Sequence, residues 1–257
     1  MDNDATTTEI VFLSKIYNAT GKQIYKDAAI KGINYLLEAQ YSNGGWAQYY
    51  PLVKGYYTHI TYNDNAMVSV MNMLKSIAAG DKPFAFLTDK TLRRRCQTAF
   101  DKGVDCILKT QYRQNGILTV WCAQYDENTL LPAKARAYEL PSLSGSESVG
   151  IVRLLMNIKN PSKQVQDAIK AALAWFEKNS ITGIKIETYT NADGKRDRRA
   201  VNDPTAPPLW ARFYELDTNR PFFCDRDGIP KYSLAEIGYE RRNGYSWYTN
   251  APSVLLK

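Results

Sequence analysis

Gln40 to Asn65 reads QYSNGGWAQYYPLVKGYYTHITYNDN, a stretch of turn formers and aromatic residues set between two apolar helical patterns. Its opening device returns about seventy residues later. Gln111 to Gln124 reads QYRQNGILTVWCAQ, again with a Gln-Tyr pair, an Asn-Gly turn and a tryptophan leading into Ala-Gln. Self-similarity of this kind marks stacked supersecondary units. Loops carried by such units are where functional residues collect, and each of these loops runs on to a carboxylate, Asp64 in the first and Asp126 in the second.

Working outward, the flanking patterns read as helices. Thr6-x-x-Glu9 has the form of a capping box, and Ile10, Leu13, Ile16 and Tyr17 follow at helical spacing, predicting a helix over 6–19 that stops at Gly21. A second apolar stripe runs from Ala29 to Leu37 and ends at the Gly44-Gly45 turn. Asn63 or Asp64 occupies the N-cap position for a third helix carrying Met67, Val70, Met71, Leu74 and Ile77. A fourth spans Leu92 to Leu108, a fifth opens at Ser144–Ser148, and Pro161 begins a sixth at its first helical position. After Gly183 only Ile184, Ile186 and Thr188 alternate, a short strand, and Asn191 to Asp203 reads as a polar loop. Trp210 to Leu216 reads as a helix turn or a strand, and Ser233 to Glu240 as a short helix. Paired helices joined by long loops predict an all-α fold of helical hairpins.

The 257 residues show no linker or break in composition, so residues 1–257 are expected to form a single domain. The 33 Lys+Arg against 26 Asp+Glu give +7, which suits an anionic partner: nucleic acid, anionic lipid or an acidic polysaccharide. Eighteen tyrosines and five tryptophans serve equally as core material and as flat faces for sugars. Cys96, Cys106, Cys122 and Cys224 form no C-x-x-C pair, and they read as buried thiols or one disulfide rather than a zinc site. No apolar run approaches the roughly 18 residues needed to span a bilayer.

His59 is the only histidine, so histidine-based triads, zinc motifs and proton shuttles would all hang on one loop residue. Neither a P-loop nor a dinucleotide fingerprint is present. Carboxylates and arginines in loops remain. Asp2 and Asn3, and again Asp64 and Asn65, are oxygen donors of the kind a hard cation such as Ca2+ takes, though the same residues before a helix also act as caps. Arg136, Arg212, Arg220 and Arg226 lie in aromatic loops, where they could clamp carboxylates or pair with Glu139, Glu215 and Asp225.

Seven collinear blocks then resemble one family across essentially the whole chain. They are DNDATTTEIVFLSKIY, AQYSNGGWAQYYP, THITYNDNAM, NGILTVWCAQ, KARAYELPSLSGSESVGI, RFYELDTNRPFFCDRDG and ERRNGYSWY. The family is the family 10 polysaccharide lyases, pectate lyases with an (α/α)3 toroid whose long loops form a cleft. The resemblance implies a further upstream hairpin with its own N-G-G-W loop, so the chain is expected to be incomplete at its N-terminus. It implies calcium-dependent β-elimination of polygalacturonate, with Asp2, Asn3 and Asp64 around Ca2+, Arg226 as the base, and Lys134, Arg136 and Arg212 on substrate carboxylates. It also implies a secreted or periplasmic monomer with no nucleic-acid or membrane partner. Two rivals are a helical-toroid glycoside hydrolase using Asp64 and Asp126, and an inactive module that only binds anionic polysaccharide.

Overall fold

The computed structural model describes Met1 and residues 4–257. In chain order the elements are α1 (Ala5–Thr20), α2 (Gln23–Glu38), β1 (Ile60–Thr61), α3 (Ala66–Ala79), α4 (Lys90–Thr110), β2 (Arg113–Gln114), β3 (Ile117–Leu118) and β4 (Gln124–Tyr125). There follow β5 (Leu143–Ser144), α5 (Glu147–Met156), α6 (Lys163–Lys178), β6 (Ile184–Thr190), β7 (Arg196–Asn202), β8 (Trp210–Ala211) and β9 (Phe213–Tyr214). The chain closes with β10 (Pro221–Cys224), β11 (Pro230–Lys231), α7 (Tyr239–Gly244) and β12 (Tyr248–Thr249). Two compact units form, one of Met1–Thr110 with Gln124–Leu131, the other of Gln111–Ala123 with Pro132–Lys257. No helix among the described residues is long and apolar enough to cross a membrane.

The expected all-α toroid is not what forms. Helix makes up 44% of the chain and strand 16%, the strands lying in several small antiparallel sheets. The helical expectation holds for the six long patterns, and α1 packs on α2, α3 on α4 and α5 on α6. It fails after Gly183. There β6 pairs with β7 over seven residues each, from Ile184↔Asn202 to Thr190↔Arg196, and the second strand is the RDRRAVN segment read above as a loop. Its charged residues conceal the strand because its one buried side chain is a carboxylate, Asp197, and the rest are exposed or half-buried, which removes the apolar alternation that a half-buried strand displays. A four-stranded sheet of order β11-β10-β9-β5 is built from two- to four-residue strands, too short to show any period. What stabilises it is the aromatic cluster beneath, with Tyr138, Phe213, Phe222, Phe223 and Trp247 buried together.

Helix starts also differ from the sequence pattern. The capping box is not formed: α1 begins at Asp4 in the left-handed region (φ 60°), with no side-chain cap, and the Thr7 hydroxyl donates to the Asp4 carbonyl (3.0 Å). Pro161 lies outside α6, whose N-cap is Ser162, the hydroxyl accepting from the Val165 N–H (3.3 Å). The four cysteines are buried thiols.

The repeated Gln-Tyr device does one job twice. In the first unit the Gln40 amide donates to the Gly44 carbonyl (3.0 Å) and to the Ala99 carbonyl on α4 (2.8 Å). In the second unit the Gln111 amide donates to the Thr119 carbonyl (2.7 Å) and to the Ala168 carbonyl on α6 (2.9 Å). Each glutamine thus ties its own loop to the second helix downstream, α4 for Gln40 and α6 for Gln111. Trp46 completes the first loop by donating to the Leu36 carbonyl at 2.8 Å. Gly44 is fixed by this geometry. Its φ is +94°, and a Cβ there would stand 2.0 Å from the Lys102 carbonyl oxygen. Gly44→Ala is therefore expected to cost about 2–3 kcal/mol, read as a lowered denaturant midpoint, whereas Gly116→Ala at the open second turn, with nothing near its Cβ, should cost less. Equal losses at the two positions would contradict the close approach.

Candidate functional site

In the second unit three of the four arginines singled out by sequence lie over two aromatic rings, whereas Arg220 lies over the Tyr232 ring (3.4 Å). Arg136 comes from the loop after β4, Arg226 from the turn after β10, and both guanidinium groups lie over the Tyr138 ring, at 5.4 and 5.8 Å from its centroid. Arg241 on α7, which the sequence reading missed, lies over the same ring at 4.5 Å. Lys134 joins them at the turn, its Nζ 3.7 Å from where a Gly228 Cβ would stand. Arg212, between β8 and β9, stacks over Tyr245 instead, at 4.8 Å. The two rings are linked, since Tyr138 meets Tyr245 edge to face (5.2 Å).

Each arginine has a carboxylate that aims it. Arg136 donates through Nε and Nη2 to Glu139, at 2.8 and 2.7 Å, and Glu139 also accepts from the Tyr245 hydroxyl (2.8 Å). Arg226 donates through Nε and Nη2 to Glu240, at 3.1 and 2.9 Å. In both, Nη1 has no hydrogen bond or ion pair among the described residues. Arg212 donates to Glu147, which the Ser144 hydroxyl also bonds, and this pair is nearly dry, with side-chain exposures of 11% and 3%. Such a pair fixes orientation more than it adds stability. Lys134 is exposed, with no ion pair among the described residues, a cation left for an incoming anion.

The electrostatics follow from these pairs. Burial works against the Arg136 charge most strongly, but the Glu139 hydrogen bonds and charge outweigh it, leaving Arg136 above the usual guanidinium value. Arg226 is raised by its hydrogen bonds with Glu240. Hydrogen bonds from Arg226 and Arg241 in turn hold Glu240 down to about 2. Of the ion-pair partners the sequence suggested, Glu139 serves, whereas Glu215 takes the Tyr232 hydroxyl (2.6 Å) and Asp225 the Gly238 N–H (2.9 Å). The signal for the missed Glu147, Glu240 and Arg241 lay in the SGSES and ERRNGYSWY blocks, but nothing there marks which charges face inward.

In the first unit Asp64 sits in a 3-10 turn, Asn63–Asn65, with Asp64 at φ 50° and Asn65 at φ 60°. The helix α3 starts one residue beyond the expected cap, on Asn65, without a side-chain cap, and the Asp64 carboxylate accepts from the Asn63 amide (2.7 Å). Asp4 repeats the geometry before α1, and its Oδ1 is buried without a hydrogen-bond partner. A carboxylate off its capping role and a buried orphan oxygen both fit a hard, oxygen-seeking cation such as Ca2+. Asp2 and Asn3 lie outside the described residues.

Asp126 has a different role. Its Oδ1 accepts from the Asn128 N–H (3.0 Å), the Thr129 N–H (2.8 Å) and the Thr129 hydroxyl (2.9 Å), bonds that hold its carboxyl below the usual range. A glycosidase acid needs the opposite shift, so Asp126 is not set up as the proton donor of the hydrolase alternative. The antiparallel β1–β4 ladder brings His59 and Glu127 beside it, His59 Nδ1 lying 3.1 Å from Glu127 Oε2. Donor atoms of the three lie within 4.8 Å of one another, a mixed nitrogen and oxygen set unlike the all-oxygen set Ca2+ prefers.

A family model described as pectic acid lyase matches residues 1–256. A family 10 polysaccharide lyase from Cellvibrio cellulosa has a similar structure, 42% identical with a TM-score of 0.91, covering 100% of this chain and 78% of that one. A mutant of the Cellvibrio lyase in complex with trigalacturonic acid is likewise 42% identical, with a TM-score of 0.90, covering 99% of this chain and 78% of that one. No curated protein matches.

Proposed function

The chain belongs to the pectic acid lyase family and is a pectate lyase, and from that premise we propose that it cleaves de-esterified galacturonan by calcium-dependent β-elimination with an arginine as base. The observation that carries the reading is Arg136 and Arg226 over one ring with Lys134 at the Gly228 turn, Nη1 of both arginines and Nζ of Lys134 being unpartnered among the described residues. That is a receptor for carboxylates, the groups that the ligand of the Cellvibrio lyase carries. Export from the cell belongs to the same reading, since a polymeric galacturonan is met outside it.

In this reading Lys134 and Arg212 hold uronate carboxylates, Arg212 in an orientation locked by Glu147. The base takes the proton from C5 of one uronate, the C5–H electron pair becomes the C4–C5 double bond, the C4–O bond breaks, and the departing oxygen takes a proton. Negative charge grows on the C6 carboxylate as C5 is deprotonated, and fixed cations at that carboxylate stabilise it. Asp64 with Asp2 and Asn3 would hold Ca2+, which when bound supplies a divalent charge to a substrate carboxylate.

Arg226 is the base that the resemblance implies. One observation favours Arg136 instead. A guanidinium gives up its proton only where the charged form is desolvated or crowded by cations, and Arg136 is the better covered, with 43% side-chain exposure against 66% for Arg226, so its burial favours the neutral form and Glu139 opposes it. The pH–rate profile separates the two. The base must be neutral, so activity rises with pH, and a carboxylate that raises the arginine pKa pushes this limb upward. Glu240→Gln should move the acidic limb of kcat to lower pH if Arg226 is the base, and Glu139→Gln should do so if Arg136 is. An unmoved limb in both variants would remove the arginine base.

A further inference from the structure

The β6–β7 hairpin leaves a second polar pocket in the same unit, lined by none of Lys134, Arg136, Arg212 and Arg226, though Tyr245, on which Arg212 stacks, forms part of its wall. Its register sets Ile186 opposite Ala200 and Thr188 opposite Arg198. Ile186, Thr188 and Arg198 face Ser246, Trp247 and Tyr248 across a cavity of about 270 Å³. That lies just under the roughly 300 Å³ at which sites for drug-sized ligands begin, so it suits a single sugar ring.

Its polar groups divide into the used and the unused. Arg242 is saturated, donating through Nε and Nη2 to Asp197 (2.8 Å each) and through Nη1 to the Ile237 carbonyl (2.8 Å). Arg198 is not. Its guanidinium makes one long contact, Nη1 to the Tyr245 carbonyl at 3.5 Å, and no ion pair among the described residues. The hydroxyls of Thr188, Ser246 and Tyr248 likewise make no hydrogen bond to the described residues. Burial pushes the Tyr248 hydroxyl up to about 12, so it remains an O–H donor. No carboxylate lines the cavity, and Asp197 behind it is spent on Arg242 and Asn243. One open guanidinium fork, three free hydroxyls and an aromatic wall match a hydroxylated ring bearing one carboxylate.

We propose that this pocket is a second uronate-binding site, which takes one carboxylated pyranose of the polymer through Arg198 and anchors the chain while another part of it reacts. The identity of the sugar rests on the galacturonan reading, but the chemistry of the pocket does not. Anchoring raises the effective concentration of a long substrate and leaves a short one unaffected.

The test uses D-galacturonate, a monomer with no glycosidic bond to break, with D-galactose as its neutral counterpart. In the two-dimensional NMR spectrum of the whole chain the Trp247 indole signal, assigned with Trp247→Phe, should move on adding galacturonate and stay still on adding galactose. Arg198→Gln should abolish the movement. Tyr248→Phe, which removes only a hydroxyl, should reduce it. On polygalacturonate Arg198→Gln should raise KM about tenfold with kcat unchanged, and on trigalacturonate both constants should stay as in the parent. A Trp247 signal indifferent to galacturonate, or equally responsive to galactose or in Arg198→Gln, overturns the proposal. Absence of lyase activity would count against the galacturonan reading alone, because the galacturonate response does not depend on turnover.

Discussion

Alanine at the base arginine is expected to lower kcat about a thousandfold, near 4 kcal/mol of barrier, while leaving oligogalacturonate binding within a few fold. Arg226→Ala and Arg136→Ala should not behave alike. The arginine that takes the C5 proton loses kcat when replaced, and the one that only holds a carboxylate raises KM with kcat largely kept. Lysine serves as the control, since it restores charge but not the planar fork, so a positioning arginine should be partly rescued by it. Arg226 and Glu240 are both exposed, whereas Arg136 pairs with the buried Glu139. Unchanged circular dichroism is therefore the check that any loss in Arg136→Ala is not unfolding. If both variants keep kcat within tenfold, proton removal belongs to another group, with Arg212 and Lys134 next.

The second large effect concerns the cation. Excess EDTA should reduce turnover by two or more orders of magnitude, restored by Ca2+, because the charge that offsets the carboxylate during proton loss is removed. Asp64→Asn should require far more Ca2+ for half-maximal activity while changing stability little, since α3 draws its N-cap from Asn65 and takes no side-chain cap from it. A calcium requirement identical to the parent would return Asp64 to a purely local role in its turn. Full activity in EDTA would remove calcium from the mechanism.

These residues show what a sequence can carry. The six long helices were legible because each buries one stripe, as with Met67, Val70, Met71, Leu74 and Ile77 on α3, all buried. The short strands were not. Phe213 and Tyr214 pair with both Leu143–Ser144 and Pro221–Phe222, contacts between segments that local periodicity cannot join. The candidate site was legible as a set of arginines in aromatic loops, since several charges amid aromatics are uncommon in a solvated linker. Which carboxylate aims each arginine was hidden for the Glu147 and Glu240 pairs. Glu147 lies 65 positions from Arg212 and Glu240 14 from Arg226, separations that only the tertiary fold closes. The Gln-Tyr repeat was visible as a pattern, but its purpose needed the acceptors on α4 and α6.

The most direct test of the account is to count two products at once. Polygalacturonate is incubated with the chain and Ca2+ while the ultraviolet absorbance of unsaturated uronide and the number of new reducing ends are followed together. Elimination makes one double bond for each bond broken, so the account predicts one chromophore per new reducing end throughout the reaction. New reducing ends without the chromophore would mean hydrolysis, and would contradict it.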